Sequence, residues 1–432
     1  MKLFIICAFQ LFVTIACAQD SLPGKGELIL GIEFRPRMEY RNGYRQLRTD
    51  TSMAALFIEG RSRLYLTYQA PKFSFFTALQ DVRVWGEQDP RSNAGSLQVY
   101  EFYVEPAITK NISIRLGRQK IIYDNQRFFS QNNWRQAGGA HDGIRFLYKG
   151  IKLEADLIGA FNQEKGAQDR FFGTDFSPDF TNYKILAVNF LKYTPSFTWT
   201  LSAMNAMDGL QDPLIPRMTH LRFTNGGRIE WNKKSLYATL AAYYQFGNTP
   251  LGRKLSAWYL QPEVKYKLSD YFSARLGAEF ISGDDATMPT TVSHSFDALY
   301  GVTHIFLGTM DLYTRFPNDL NGAGIVSPYL FFSFNINKKL TIRADELLFF
   351  SQNNFLVNGS VINKYLGFEN DLMLQYKTNS YTEIQMGYSW YLATKSTELI
   401  KKSGNHELWQ DWAYLMITFK PELFRWTQKP NM

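Results

Sequence analysis

Apolar and polar residues alternate with a period of two along most of this chain, and charges of both signs sit inside the alternating segments. Glu33, Arg35, Arg37 and Glu39 share one face of a segment whose other face is Phe34, Pro36, Met38 and Tyr40. In 58–68 the polar face is Glu59, Arg61, Arg63, Tyr65 and Thr67, opposite Ile58, Gly60, Ser62, Leu64, Leu66 and Tyr68. Segments 272–280 and 382–390 repeat the pattern. Successive side chains of a strand point to opposite faces, so each such segment reads as a strand with one apolar and one charged side.

A β-sandwich also alternates, but the connections here follow a rule that a sandwich has no reason to obey. The pattern predicts strands at 26–40, 54–69, 72–85, 97–106, 110–122, 142–149, 151–161, 182–192, 197–207, 219–231, 235–246, 254–267, 271–281, 326–337, 340–350, 364–377, 381–391 and 410–420. After nearly every odd strand the connection is long: 41–53, 86–96, 123–141, 162–181, 208–218, 282–325, 351–363 and 392–409, with 247–253 the modest one. After each even strand it is tight, as at Asn232-Lys233-Lys234 and Thr378-Asn379-Ser380. Short periplasmic turns and long extracellular loops are the habit of outer-membrane barrels. Lipid offers no hydrogen bonds, so such a wall must close on itself. The expected fold is all-β: a transmembrane antiparallel β-barrel of about 18 strands, closed by the aromatic-rich last strand, 412–419.

Composition agrees. Aromatic residues make up 16% of the chain, including 25 Tyr and 35 Phe. A barrel places these on its outside at both interfaces. Beyond the first residues no stretch approaches the 18 apolar residues of a membrane helix. Lys2, the apolar run from Leu3 to Ala16 and the small residues Ala16-Cys17-Ala18 form a cleavable secretory signal. Residues 1–18 are therefore read as a signal peptide and 19–432 as one barrel domain. A lipoprotein acylated on Cys17 is the disfavoured alternative, because Thr14-Ile15-Ala16 fits a lipobox poorly. Both cysteines, Cys7 and Cys17, fall inside the signal, so the mature chain has no disulfide or thiolate metal site. Loss of Lys2 takes the formal charge from +8 to +7.

By alternation the inward face carries Arg35, Arg37, Arg61, Arg63, Arg83, Arg115, Arg145, Arg222, Arg228, Arg275 and Arg343. It also carries a larger set of acids, among them Glu33, Glu59, Asp81, Glu101, Glu105, Asp156, Glu263, Glu279, Asp345, Glu369 and Asp371. Two readings stay open. The charges neutralise one another, as in any water-filled barrel, or the arginines segregate and bind anions, for which the permanently charged guanidinium fork is suited. The connection 123–141, rich in Asn, Gln and Arg, is expected to fold inward and narrow the passage. At least one of 123–141 and 282–325 should enter the lumen.

Catalytic patterns are scarce. His141, His220, His294, His304 and His406 lie in or near loops, and no zinc-protease, nucleophile-elbow or phosphate-loop motif occurs. His294-Ser295 reads as chance adjacency and Asp284-Asp285 as a solvated turn rather than a Ca²⁺ site. No enzyme, cofactor or metal is expected. Charges alternate within strands and form no basic run, which excludes a nucleic-acid partner.

Three segments resemble the alginate export family of outer-membrane porins: Arg35-Pro36-Arg37-Met38-Glu39, the run from Arg115 through Gly117-Arg118-Gln119, Tyr123-Asp124, Arg127, Trp134-Arg135 and His141-Asp142-Gly143 to Arg145, and Phe296-Asp297 through Tyr300-Gly301, His304 and Gly308 to Asp311. His141 stands where that family usually has an aromatic residue. The resemblance implies a monomeric 18-stranded barrel whose arginine-rich pore guides an anionic uronate polymer. It implies solute-facing roles for Arg35, Arg37, Arg118, Arg127 and Arg145; with the inward Arg61, Arg63 and Arg115 these form the expected binding set. Glu39, Gly117, Gln119, Trp134, Asp142, Gly143, Asp297, Tyr300, Gly301, His304, Gly308 and Asp311 are expected to be structural. Implied partners are outer-membrane lipid, anionic polysaccharide or sugar acids, and periplasmic export components. The alternatives are a general diffusion porin, and a barrel enzyme or adhesin working through its loops.

Overall fold

The computed structural model describes residues 26–87, 96–163, 183–215 and 218–428. The expected signal peptide lies outside them, as do parts of the connections after the third, seventh and ninth strands. Eighteen antiparallel strands close into one barrel. They are β1 Glu27–Asn42, β2 Ala55–Gln69, β3 Phe73–Val84, β4 Gln98–Pro106, β5 Ile112–Gln119, β6 His141–Lys149, β7 Leu153–Phe161, β8 Ile185–Tyr193 and β9 Trp199–Gln211. The second half holds β10 Thr219–Lys233, β11 Leu236–Asn248, β12 Lys254–Lys267, β13 Phe272–Ile281, β14 Ile325–Asn335, β15 Leu340–Ser351, β16 Tyr365–Lys377, β17 Thr382–Ala393 and β18 Gln410–Phe419. Closure joins β1 to β18, from Asn42 opposite Asp411 to Phe34 opposite Phe419. Residues Glu422–Thr427 extend the seam by pairing with Glu27–Gly31.

Short turns are held by their own side chains. The Asn337 side-chain oxygen accepts from the amides of Lys339 and Leu340, and Asn379 accepts from Tyr381. Outward positions expose large apolar groups along whole strands, as with Ile144, Phe146 and Tyr148 on β6 and Val264 and Tyr266 on β12. Tyr148, Tyr193, Tyr266 and Tyr376 face outward near the short turns, and Trp258 and Tyr388 nearer the long loops. These are the two aromatic girdles of a membrane barrel.

Boundaries differ where the lumen takes part. The expected strand 110–122 stops at Gln119, because the chain turns inward: the Lys120 amide donates to Glu101, and Ile121 is fully buried. The expected 197–207 runs on to Gln211, since Asp208 faces inward and pairs with Arg222. The connection 392–409 carries a two-turn helix, α1 (Lys395–Lys401), too short for periodicity to announce.

In-folded loops are expected in the lumen, but the apolar core they build there is a departure from the charged inward face that the alternation predicts. Tyr123, Phe128 and Phe129 of the connection after β5 join Phe296, Val302, Leu307, Met310, Leu312 and Tyr313 of the connection after β13 in one buried cluster. The wall contributes Tyr243, Tyr259, Tyr329, Phe349, Tyr391 and Trp412. Both connections fold into the barrel, and each supplies aromatic groups that water would otherwise meet.

Candidate functional site: a plugged lumen with basic chambers

Arg35 and Arg61 lie directly opposite each other on β1 and β2. Like charges at opposed sites destabilise a sheet. Here the connection after β5 resolves the conflict with carbonyl oxygens. Arg35 donates to Asn133 O at 2.6 Å and to the Gln136 side chain at 2.9 Å, and Arg61 to Gln136 O at 3.2 Å. Arg61 also pairs with Glu33. Arg37 donates to Trp134 O at 2.7 Å and pairs with Glu39 and Glu59, while Arg63 reaches Ala137 O at 3.2 Å and stacks on Tyr100. The four guanidinium groups point inward as the alternation requires, but all are buried at 5% exposure or less. They clamp a loop. In place of solute, their donors meet loop carbonyls, acids and the side-chain oxygens of Asn133, Gln136 and Gln80.

Trp134 is held between the Arg37 guanidinium, 3.9 Å from its ring centroid, and the His304 ring, stacked at 4.4 Å. His304 belongs to the other inner connection, so this stack joins the two. Further joints reinforce it. Phe129 bridges to Tyr300, and the Val302 amide donates to Gln126 O. Gly301 approaches so closely that a Cβ there would sit 1.9 Å from Arg127 O. Only glycine fits. Asp311 accepts from Tyr44 at 2.5 Å and faces His304 at 2.9 Å. These partners outweigh the burial that opposes its charge and hold the Asp311 carboxyl below the usual range.

Wall anchors complete the plug. Arg127 grips Glu279 of β13 through two hydrogen bonds, 2.7 and 2.9 Å, with both residues sealed from solvent. Arg127 was expected to face solute; Glu279 and Val302 O consume it instead. Tyr300 donates to Asp208 at 2.5 Å, and Arg222 bridges Asp208 to Asp297. Glu369 accepts from the Met310 amide at 2.8 Å, where Gly308, at φ 78°, leaves no room for a side chain. The Glu39 carboxylate takes the Trp412 indole at 3.0 Å.

Arg118 sits on the other face of β5 from Arg115 and borders the long-loop cavity of about 520 Å³ from the rim of the wall. It shares a face with Leu116 and lies opposite Phe102, which is half exposed toward lipid. It is therefore on the outward face by strand parity, bonded to Asp142 at 2.9 and 2.7 Å and to Val99 O at 3.1 Å. Gly117 and Gly143 oppose each other in the wall between β5 and β6. Gln119 is buried and donates to Gly117 O and Gly143 O, and His141 meets the Tyr183 hydroxyl at 3.0 Å.

Arg115 and Arg145 do face water. They line a cavity of about 510 Å³ at the short-turn, periplasmic side, beside their partners Glu105 and Asp156. A second cavity there, about 590 Å³, shares Asp124 with it. Its ionisable lining is six cations, Arg228, Lys234, Lys265, Lys267, Arg275 and Arg343, against three acids, Asp124, Glu230 and Glu263. On the long-loop side Arg135 borders two cavities, of about 520 and 680 Å³. Its side chain is exposed and makes no hydrogen bond or ion pair among the described residues. Arg135 was not singled out from sequence, although it is the only ionisable residue between Phe128 and Ala140. Among the described residues no group of three or more His, Cys, Asp or Glu could hold a metal. Asp284 and Asp285 accept instead from the amides of His294 and Thr287.

An eighteen-stranded wall, a lumen plugged by two coupled loops and chambers on either side are the parts of a channel. The sequence profile of the alginate export family matches residues 27–396, most of the chain. The chain belongs to the alginate export family. This family member is an outer-membrane channel. No curated protein matches it in sequence. In fold it is similar to OccK9 (OpdG) of Pseudomonas aeruginosa, with 12% identity, a TM-score of 0.64, and 92% of this chain and 98% of that one covered. It is also similar to OccAB1 of Acinetobacter baumannii, with 12% identity, a TM-score of 0.63, and coverage of 92% and 97%. A third likeness is OccK2 (OpdF) of P. aeruginosa, solved in complex with glucuronate, with 11% identity, a TM-score of 0.61, and coverage of 92% and 98%.

Proposed function

We propose that this channel passes anionic saccharides, uronates or polymers of them, by electrostatic attraction into its basic chambers. The observation that carries the reading is the periplasmic chamber, whose lining holds six cations and three acids; Arg228, Arg275, Arg343 and Lys267 pair with Glu230, Glu263, Asp345 and Asp270, and Lys234 and Lys265 have no ion pair among the described residues. A confined, partly dehydrated passage focuses the field of unneutralised charge and raises the local concentration of counter-ions. Arg135 presents the same chemistry at the outer side of the plug. The charge that matters then lies in the net cationic lining of this chamber and in Arg135, not in the β1–β2 arginines that clamp the loop. The proposed function includes export by the signal peptide at 1–18, action as a monomer, a handover to periplasmic export components, and transport without catalysis. Glucuronate bound to one neighbour of this fold accords with it.

Single-channel recording with oligouronates tests it. The expected result is concentration-dependent, saturable block by oligouronates and none by neutral oligosaccharides of equal length. A general diffusion porin would show neither saturation nor that distinction, and such a record overturns the proposal.

A further inference from the structure

The eight short turns at the periplasmic rim hold Lys72, Lys110, Lys152, Lys234, Lys338 and Lys339, no arginine and one acid, Asp270. The outer connections do not share this bias: 43–54 alone mixes Arg45, Arg48 and Asp50. Among the described residues Lys110, Lys152, Lys234, Lys338 and Lys339 make no ion pair, and Asp270 is taken by Lys267. A cationic rim of this kind would ordinarily be a solvated face. The turn tips argue otherwise, because they also expose large apolar groups beside the lysines. Ile108 stands at 45% exposure two residues before Lys110, Ile151 is fully exposed next to Lys152, and Ile336 is 52% exposed before Lys338. Just inside the rim runs the outward aromatic girdle of Tyr148, Tyr193, Tyr266 and Tyr376. Apolar tips immediately beyond an interfacial aromatic belt lie at headgroup depth, where an ammonium group meets lipid phosphate.

We propose that the short-turn rim is a docking surface for anionic phospholipid headgroups of the periplasmic leaflet, held by its turn lysines. The attraction is Coulombic and additive over several lysines, each contributing roughly a severalfold gain near an anionic surface. Lys234 also lines the periplasmic chamber, but Lys152, Lys338 and Lys339 do not, so their attraction is independent of what that chamber carries. A soluble acidic protein would bind the lysines but leave Ile151 and Ile336 exposed to water, so lipid is the occupant the surface fits.

The test uses the mature chain in phosphatidylcholine bilayers with and without phosphatidylglycerol, scored by lipid retained in native mass spectrometry and by Tm. The expected result is selective retention of phosphatidylglycerol and a Tm raised by it. Both should fall in the variant K152Q/K338Q/K339Q, with retention about a hundredfold weaker, and both should weaken at high salt. An outer-surface variant away from the turns, R48Q, should keep the preference. A wild-type chain that retains both lipids equally, or a triple variant with unchanged selectivity, overturns the proposal. Binding of an acidic periplasmic protein without lipid preference does so as well.

Discussion

Arg127 and Glu279 meet through two parallel hydrogen bonds in the middle of the barrel, 152 residues apart in sequence and both out of reach of water. This pair pins the first inner loop to β13, while Tyr259 donates to the same carboxylate at 2.5 Å. Removing one partner of a buried pair leaves an uncompensated charge, at a cost of about 3–5 kcal/mol. R127A is therefore expected to lower the Tm of the folded barrel and to give larger, noisier single-channel currents as the plug loosens. Quiet currents of wild-type size would show that the pair does not hold the loop.

The β1–β2 arginines are expected to act on the plug rather than on selectivity. R35A and R61A each strip hydrogen bonds from the 133–137 backbone. Each should raise conductance and susceptibility of the inner loop to protease, with a small change in the anion/cation permeability ratio. A selective collapse of anion preference with unchanged conductance would return these arginines to a solute-facing role.

Arg118 supplies a control. Its pair with Asp142 is exposed on the outer wall, where such pairs contribute about 0–1 kcal/mol. R118Q should leave conductance, selectivity and Tm near wild type. A shifted reversal potential in R118Q would place the side chain in the passage.

Membrane exposure of the apolar face is testable at Leu276, central in β13 and 62% exposed. Arginine there should cost about 2–4 kcal/mol in refolding into lipid vesicles, as on other barrels near the bilayer midplane. A cost near zero would mean that this face does not meet hydrocarbon.

Acid should loosen the second inner loop. Burial opposes the Asp311 charge, but His304, Tyr44 and Arg45 together hold its pKa below the ordinary value. A depressed carboxylate pKa contributes stability that is complete above the unfolded value, about 3.9. That stability is lost as pH falls through the folded value. Channel noise should therefore rise as pH drops below about 4, and D311N should already be noisy at neutral pH. Noise that is independent of pH in the wild type would contradict this.

The wall was legible because side-chain period two is a local property and lipid enforces it on every strand. Turn chemistry at Asn337 and Asn379 marked the short ends for the same reason. The lumen was legible only in part. Glu279 and Glu369 read as pore-lining charges, yet each is satisfied by a loop residue far away in sequence, which no pattern along the chain announces; Asp208 reads as part of a connection and is instead an inward strand residue that holds Arg222 and Tyr300. Arg118 was assigned to the lumen on motif grounds, although it lies three positions from the inward Arg115 and strand parity turns it outward. The loops 123–141 and 282–325 were foreseen as candidates to enter the lumen. That they form one aromatic core there depends on contacts such as Trp134 with His304, and these are tertiary. Arg135 could have been found: it is the one charge in a long neutral stretch.

An excess of cations over acids in the lining of the periplasmic chamber is expected to make this an anion-preferring channel. The zero-current potential across a planar bilayer under a KCl gradient measures this most directly, for the wild type and for R228Q/R275Q/R343Q. The account predicts an anion-selective wild type whose preference falls toward neutrality in the triple variant and fades at high salt as the charges are screened. A cation-selective wild type, or a triple variant with undiminished anion preference, would contradict it.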